Sequence, residues 1–257
     1  GAQGAPGADG GAPQDKARRA AAEQSWEVAR WREALAPLYP ELEDVFPLSA
    51  TQRGIYFQSL LAPRTSGAYV EQIAFDLVGA LDEAAFGAAW QHATDAIAAL
   101  RTAIIRRGAP FPLQAVVRGA TLTPSFLDLR ELAPERQQQR LAALVTEDRM
   151  KGFDLKRPPL ARVTLVRLGT ERWRVLWAYH HLILDGWAEP MVLGAVFRAY
   201  DALRAGRAPR AEAGLPYREF VLWSEAQDHM AAESFWRGQL AGFTSPVTIT
   251  DTSPAVT

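Results

Sequence analysis

At 257 residues, with 48% hydrophobic and 22% charged side chains, the chain is long enough to bury a sizeable core and has a globular rather than a disordered composition. Its 28 basic and 29 acidic side chains leave a formal net charge of -1 with no basic stripe, which argues against nucleic-acid binding. The absence of cysteine removes disulfides, thiolate metal sites and a cysteine nucleophile, and no apolar run reaches the roughly 20 residues needed to cross a bilayer, so a cytoplasmic chain with no membrane partner is the simplest reading.

Residues 1–22 are rich in Gly, Ala and Pro with almost nothing bulky to bury, the composition of a flexible linker. A linker helix is expected within 23–42, because Trp26, Val28, Trp31, Leu35 and Leu38 recur at spacings of three and four. It should end near Tyr39-Pro40. Ser49 precedes an apolar face and predicts a capped helix to Leu61, with Pro63 as its stop. Tyr69 to Val78 alternates and is rich in β-branched and aromatic residues, so it reads as a half-buried strand closed by Gly79. Asp82 near the start of Leu81 to Ile97 favours a long amphipathic helix.

Ala103 to Arg107 and Leu113 to Val117 look like a strand pair joined by a turn around Gly108 to Pro110, and Glu131 to Asp148 like a polar-faced helix. The densest strand signals are Ala161 to Leu168 and Arg174 to His180, which should be antiparallel neighbours across a turn beginning at Gly169. Asp185-Gly186 breaks the chain, helical spacing resumes from Met191 to Arg204, and a last helix is expected over Tyr217 to Leu240. There Trp223, Phe235 and Trp236 read as core packing, while His92 and His229 read as surface helix residues. Residues 244–257 read as a loop. Helices and strands mix without strict alternation, which indicates an α+β fold with a mixed β-sheet flanked by helices.

Reactive side chains concentrate in one segment, His180-His181-Leu182-Ile183-Leu184-Asp185-Gly186-Trp187. Because a strand runs into it, the two adjacent histidines should point to opposite faces, one towards a cavity and the other into scaffold. A neutral imidazole with an unperturbed pKa of about 6.5 can take a proton from an amine or hydroxyl near neutral pH, the chemistry of acyl transfer or proton abstraction. The plainer alternative is a pair of satisfied core or surface histidines, with Asp185 as a turn former. A metal site is disfavoured, since His181 and Asp185 would share a face only on a helix and no third ligand is evident.

The segment resembles the HHxxxDG signature of the condensation domains of nonribosomal peptide synthetases, shared more loosely with chloramphenicol acetyltransferase and its relatives. Further segments resemble the same family in the same order: Phe46 to Gln52 with Gly54 to Phe57, Tyr69 to Gln72, Leu100-Arg101-Thr102, Gly152 to Leu155 with Pro159-Leu160, and Tyr217-Arg218 through Phe235-Trp236. The resemblance covers Glu43 to Phe243. It departs at Ala96-Ile97, where the family usually shows Arg-His, so of that motif only Arg101 is carried over.

The resemblance implies an N-terminal lobe over 43–243, similar in fold to chloramphenicol acetyltransferase, with 244–257 leading to an absent C-terminal lobe. The active site would lie in a tunnel between the two lobes, and the fragment alone would be inactive. The implied activity is that of an amide-forming acyltransferase in antibiotic and other secondary metabolism. Upstream and downstream peptidyl carrier domains present their acyl groups on phosphopantetheine arms, and no cofactor is bound directly.

In that reading His181 deprotonates or positions the amine, His180 and Asp185 hold the loop, Gly186 offers a backbone N–H near the reacting carbonyl, and Trp187 and Arg101 shape the substrate site. The opening segment and Leu184 to Trp187 look more like members accepting a donor that ends in a D-residue. A non-catalytic carrier-docking or structural lobe and an epimerisation-type domain are the alternatives. A heterocyclisation domain is disfavoured by the paired histidines.

Overall fold

The computed structural model describes residues 27–63, 66–107, 109–211 and 214–245. The linker over 1–22, Trp26 of the linker helix, Gly108 of the hairpin turn and residues 246–257 of the terminal loop lie outside them.

In chain order the elements are α1 (27–35), β1 (Leu42–Pro47), α2 (Ala50–Leu61), β2 (Val70–Val78), α3 (Glu83–Ala96), a 3-10 turn (Ala98–Arg101), β3 (Thr102–Ile105), β4 (Leu113–Val117), β5 (Ser125–Asp128), α4 (Pro134–Lys151), β6 (Ala161–Arg167), β7 (Arg172–His180), α5 (Glu189–Arg204), α6 (Tyr217–Glu225) and α7 (His229–Gln239). The strands divide between two sheets, ordered β1-β4-β3 and β2-β7-β6-β5. All pairs are antiparallel except β5 with β6. The α+β reading therefore holds, and the expected antiparallel pair is β6 with β7.

The four-stranded sheet is covered on both faces, which explains why β7 reads as a continuous apolar run rather than an alternation. Val163, Leu165, Trp173, Val175, Trp177 and Tyr179 face Phe86 and Trp90 of α3 and Val192 and Val196 of α5. Val166 and Leu176 face the opposite way, against Leu144 of α4. At the centre, Trp177 lies 5.4 Å from Trp90 and 5.0 Å from Tyr179 between ring centroids, and such pairs contribute about 0.5–1.5 kcal/mol each beyond burial. The smaller sheet takes α1 on one face, where Trp31 and Leu35 pack with Val45, Ala103, Ile105 and Leu113. Its β1 begins at Leu42, within the stretch read as linker helix.

Two strands were not expected, and three expectations need correction. Strand β1 carries Glu43 and Asp44 and ends in Pro47, so its sequence lacks a strand pattern; it forms because β4 pairs with it along its length. Strand β5 spans only four residues and is held at the edge by β6. The single helix expected from Tyr217 breaks after Glu225, where Asp228 accepts the Ala231 N–H at 2.9 Å and caps a second helix. Trp223, Phe235 and Trp236 are not core residues but are 61%, 57% and 59% exposed, because no described element covers that side of α6 and α7. Of the two outlying histidines, His229 is exposed, whereas His92 is half-buried with its Nε2 atom enclosed.

Candidate active site

The histidine segment is the turn that carries the chain from β7 to α5. Its backbone groups are paired in succession: His180 N–H donates to Leu160 O at 2.9 Å, His181 N–H to Tyr69 O at 2.9 Å, Ile183 N–H to His180 O at 3.0 Å and Ala188 N–H to Asp185 O at 3.0 Å. Leu182, Ile183 and Leu184 sink into the main core. Their burial draws the middle of the turn inward and leaves His181 half-buried at its rim, with Asp185, Gly186 and Trp187 exposed.

The two imidazoles are held as opposite tautomers. The Nδ1 of His181 lies 2.8 Å from the Leu184 carbonyl oxygen. A carbonyl only accepts, so this nitrogen carries the proton and the Nε2 of a neutral ring keeps its lone pair. His180 is arranged the other way, since its Nδ1 accepts the Leu182 N–H at 3.2 Å and the proton must sit on Nε2. That nitrogen is 3.5 Å from the Ser59 hydroxyl, whose own proton goes to the Ile55 carbonyl at 2.7 Å.

His180 is only 4% exposed. Burial, reinforced by the neighbouring His181, lowers its pKa to about 4, so it remains neutral at physiological pH. The pair thus separates into one buried ring and one half-buried ring whose Nε2 meets no hydrogen-bond partner among the described residues.

Asp185 Oδ1 accepts the Ala188 N–H at 2.9 Å, so its carboxylate tightens the turn. An added Cβ at Gly186 would meet nothing within 4 Å, so neither crowding nor φ within the chain requires glycine there. Trp187 is 86% exposed. Arg101 is not joined to the turn: its guanidinium meets Glu43 at 2.6 and 3.4 Å, the Asp95 carbonyl at 3.0 Å and the Val117 carbonyl at 3.5 Å. It connects the 3-10 turn to β1 and β4.

Several residues around the turn were not singled out for a role by sequence reasoning. Tyr69, whose carbonyl holds the His181 N–H, adopts φ 59, a conformation rare for an aromatic residue. The Tyr179 hydroxyl donates to Glu189 in the first turn of α5, and burial together with that carboxylate raises its phenol pKa beyond the ordinary range. Gln52 of α2 donates its Nε2 to the Leu182 carbonyl at 2.8 Å, and Gln114 of β4 pairs with Gln52 at 3.0 Å. For Gln114 the available signal was a lone polar residue in the otherwise apolar strand Leu113 to Val117; for Tyr69 it was its place in the family-like segment Tyr69 to Gln72.

A family model described as the condensation domain matches residues 42–256. A linear gramicidin synthase polypeptide of Brevibacillus parabrevis is 40% identical over 205 residues, 80% of this chain and 3% of that protein. A mycosubtilin synthase polypeptide of Bacillus subtilis is 36% identical over 200 residues, 78% of this chain and 8% of that protein. Among solved structures, the starter condensation domain of a rhizomide synthetase mutant superposes with a TM-score of 0.71 at 24% identity, over 81% of this chain and 51% of that one. The first condensation domain of the calcium-dependent antibiotic synthetase, in complex with a substrate analogue, gives 0.69 at 22% identity, over 80% and 50%. The chain thus spans about half of a solved condensation domain and a small part of the curated synthetases, and it belongs to the condensation domain family.

Proposed function

We propose that the chain is the histidine-bearing lobe of a condensation domain that forms a peptide bond in nonribosomal peptide synthesis. The donor is an acyl or peptidyl thioester on the phosphopantetheine arm of an upstream carrier domain. The acceptor is the amine of an aminoacyl group on a downstream carrier. The amine nitrogen attacks the thioester carbonyl, the C–N bond forms, and the donor arm leaves as a thiol that takes up the proton lost by the amine.

The observation that carries this reading is the tautomer of His181. With Nδ1–H committed to the Leu184 carbonyl, the Nε2 lone pair of this half-buried ring is left to orient the amine and accept its proton. Asp185 and His180 hold the turn. Gly186 is exposed, with open space where a Cβ would stand, and its backbone N–H is assigned to the reacting carbonyl. Trp187 stands on the rim, while the enclosed contacts of Arg101 support a part in site shaping only through β1. The remaining half of such a domain supplies the opposite wall, and the apolar faces of α6 and α7 are available to it.

The test is product formation, followed by mass spectrometry, from loaded donor and acceptor carriers by the synthetase containing this chain. His181→Ala is expected to lower the rate by about 100-fold or more; an unchanged rate would sink the assignment. The isolated chain is expected to be inactive and a version extended by roughly 200 residues, a domain-sized increment, to be active. Inactivity of both would favour a docking lobe. Donors ending in L- and D-residues, offered in parallel, test the expected preference for the D-configuration.

A further inference from the structure

We propose that Gln52, locked in place by Gln114, is the positioning residue that sets the His181 tautomer, a role that rests on the reading of His181 as the working base. Both glutamines are buried, and their side-chain amides face each other in a reciprocal pair: Gln52 Nε2 donates to Gln114 Oε1 at 3.0 Å and Gln114 Nε2 donates to Gln52 Oε1 at 3.0 Å. The outward edge of each amide is also used. Gln52 Oε1 accepts the Ser49 N–H at 2.9 Å and Gln52 Nε2 donates to the Leu182 carbonyl at 2.8 Å. Gln114 Nε2 donates to the Pro47 carbonyl at 3.0 Å.

A glutamine amide has two donor hydrogens and a two-lone-pair oxygen, and Gln52 uses all four sites. Flipping its amide would set NH2 against the Ser49 N–H and oxygen against the Leu182 carbonyl, so the orientation is over-determined. The donor that reaches Leu182 is therefore fixed by the N-terminus of α2 and by strand β4.

The consequence for the site follows from the position of Leu182, one residue after His181 and two before Leu184. Its N–H goes to His180 Nδ1 and its carbonyl to Gln52, so side chains pin the two peptide units that meet at this residue. With Leu182 only 2% exposed, water cannot replace the Gln52 bond. A carbonyl left unsatisfied there turns to find another donor. That rotation is transmitted to Leu184, whose carbonyl is the acceptor that keeps the proton on His181 Nδ1. Gln52 thus acts on the chemistry through the backbone and touches no substrate.

Nitrogen-15 spectra of the imidazole rings of the full chain at neutral pH decide the claim without any need for catalysis. Gln52→Met is expected to shift the His181 nitrogens away from the pure Nδ1–H pattern towards a mixture of tautomers. Gln114→Met keeps the Leu182 bond but loosens the amide, and should give a smaller shift in the same direction, a reading that survives if Gln52→Met does not fold. Ser49→Ala weakens the cap of α2 while leaving the Leu182 bond in place, and should lower the melting temperature with the His181 signals unchanged. Unchanged His181 nitrogens in both glutamine variants, or an equal shift in Ser49→Ala, would overturn the proposal.

In the condensation assay with the whole synthetase, Gln52→Met should reduce kcat by about 30-fold or more, with KM little changed. A wild-type kcat in that variant would also overturn it. A rate insensitive to His181→Ala would instead defeat the proposed function, and the ring-nitrogen shifts would still decide the role of Gln52.

Discussion

Replacing Arg101 by methionine removes a guanidinium whose bonds join three parts of the fold: the Glu43 carboxylate in β1, the Asp95 carbonyl in the last turn of α3 and the Val117 carbonyl in β4. The Arg101 side chain is 9% exposed and that of Glu43 33%. Removing one member of a buried ion pair costs about 3–5 kcal/mol. Glu43 is partly hydrated and keeps a longer contact to Arg118 at 3.4 Å, so part of that loss is recovered, and about 2–3 kcal/mol is expected.

At about 2–4 °C per kcal/mol for a chain of this size, the melting temperature should fall by about 4–12 °C. A double-mutant cycle with Glu43→Gln, read by urea denaturation, should give a coupling of about 1–2 kcal/mol. The pH dependence has a definite sign. Arg101, first by its hydrogen bond, holds the Glu43 carboxyl below its ordinary value of 4.5. The stability it contributes is present above the unfolded value and is lost as pH falls through the folded one, so Arg101→Met should flatten the acid limb. A melting shift below about 2 °C, or a coupling indistinguishable from zero, would refute this account. A drop in condensation rate with stability unchanged would show that Arg101 acts on the site rather than on the fold.

His180 adds a separate pH term: it is neutral when folded, with a pKa of about 4, but takes up a proton near pH 6.5 when unfolded, so stability is full above 6.5 and declines as pH falls towards 4. Unfolding free energies from urea denaturation at pH 7 and 5 should differ by about 2 kcal/mol from this group, and His180→Gln should remove that component. Trp177 is fully buried between Trp90 and Tyr179, so Trp177→Ala should cost about 3–5 kcal/mol in chemical denaturation. A loss below about 1 kcal/mol would mean that the layer between β7 and α3 repacks.

The parts of the fold legible in the residues were those whose signal is local. Ser49 with Gln52 forms a capping box at α2, Asp82 caps α3, and the Gly169 turn separates two strands that pair as expected. Strands β1 and β5 were not legible, because an acidic segment and a four-residue segment become strands only when a partner supplies the hydrogen bonds. The exposure of Trp223 and Trp236 was equally hidden, since an amphipathic helix announces an apolar face but not what covers it.

At the site, the sequence by itself determined where titratable side chains concentrate and that adjacent histidines at a strand end must diverge, both consequences of side-chain chemistry and the two-residue period of a strand. Only the tertiary structure decided which hydrogen bonds each ring makes and how deeply each is buried. The proton on His181 is assigned by a carbonyl three residues along a turned backbone, and that turn is held by an amide from α2 lying 130 residues away in the chain. The neutrality of His180 comes from burial against elements that meet only after folding. Tautomer and charge depend on local donors, acceptors and desolvation, and these are set by contacts between segments whose sequences carry no mark of one another.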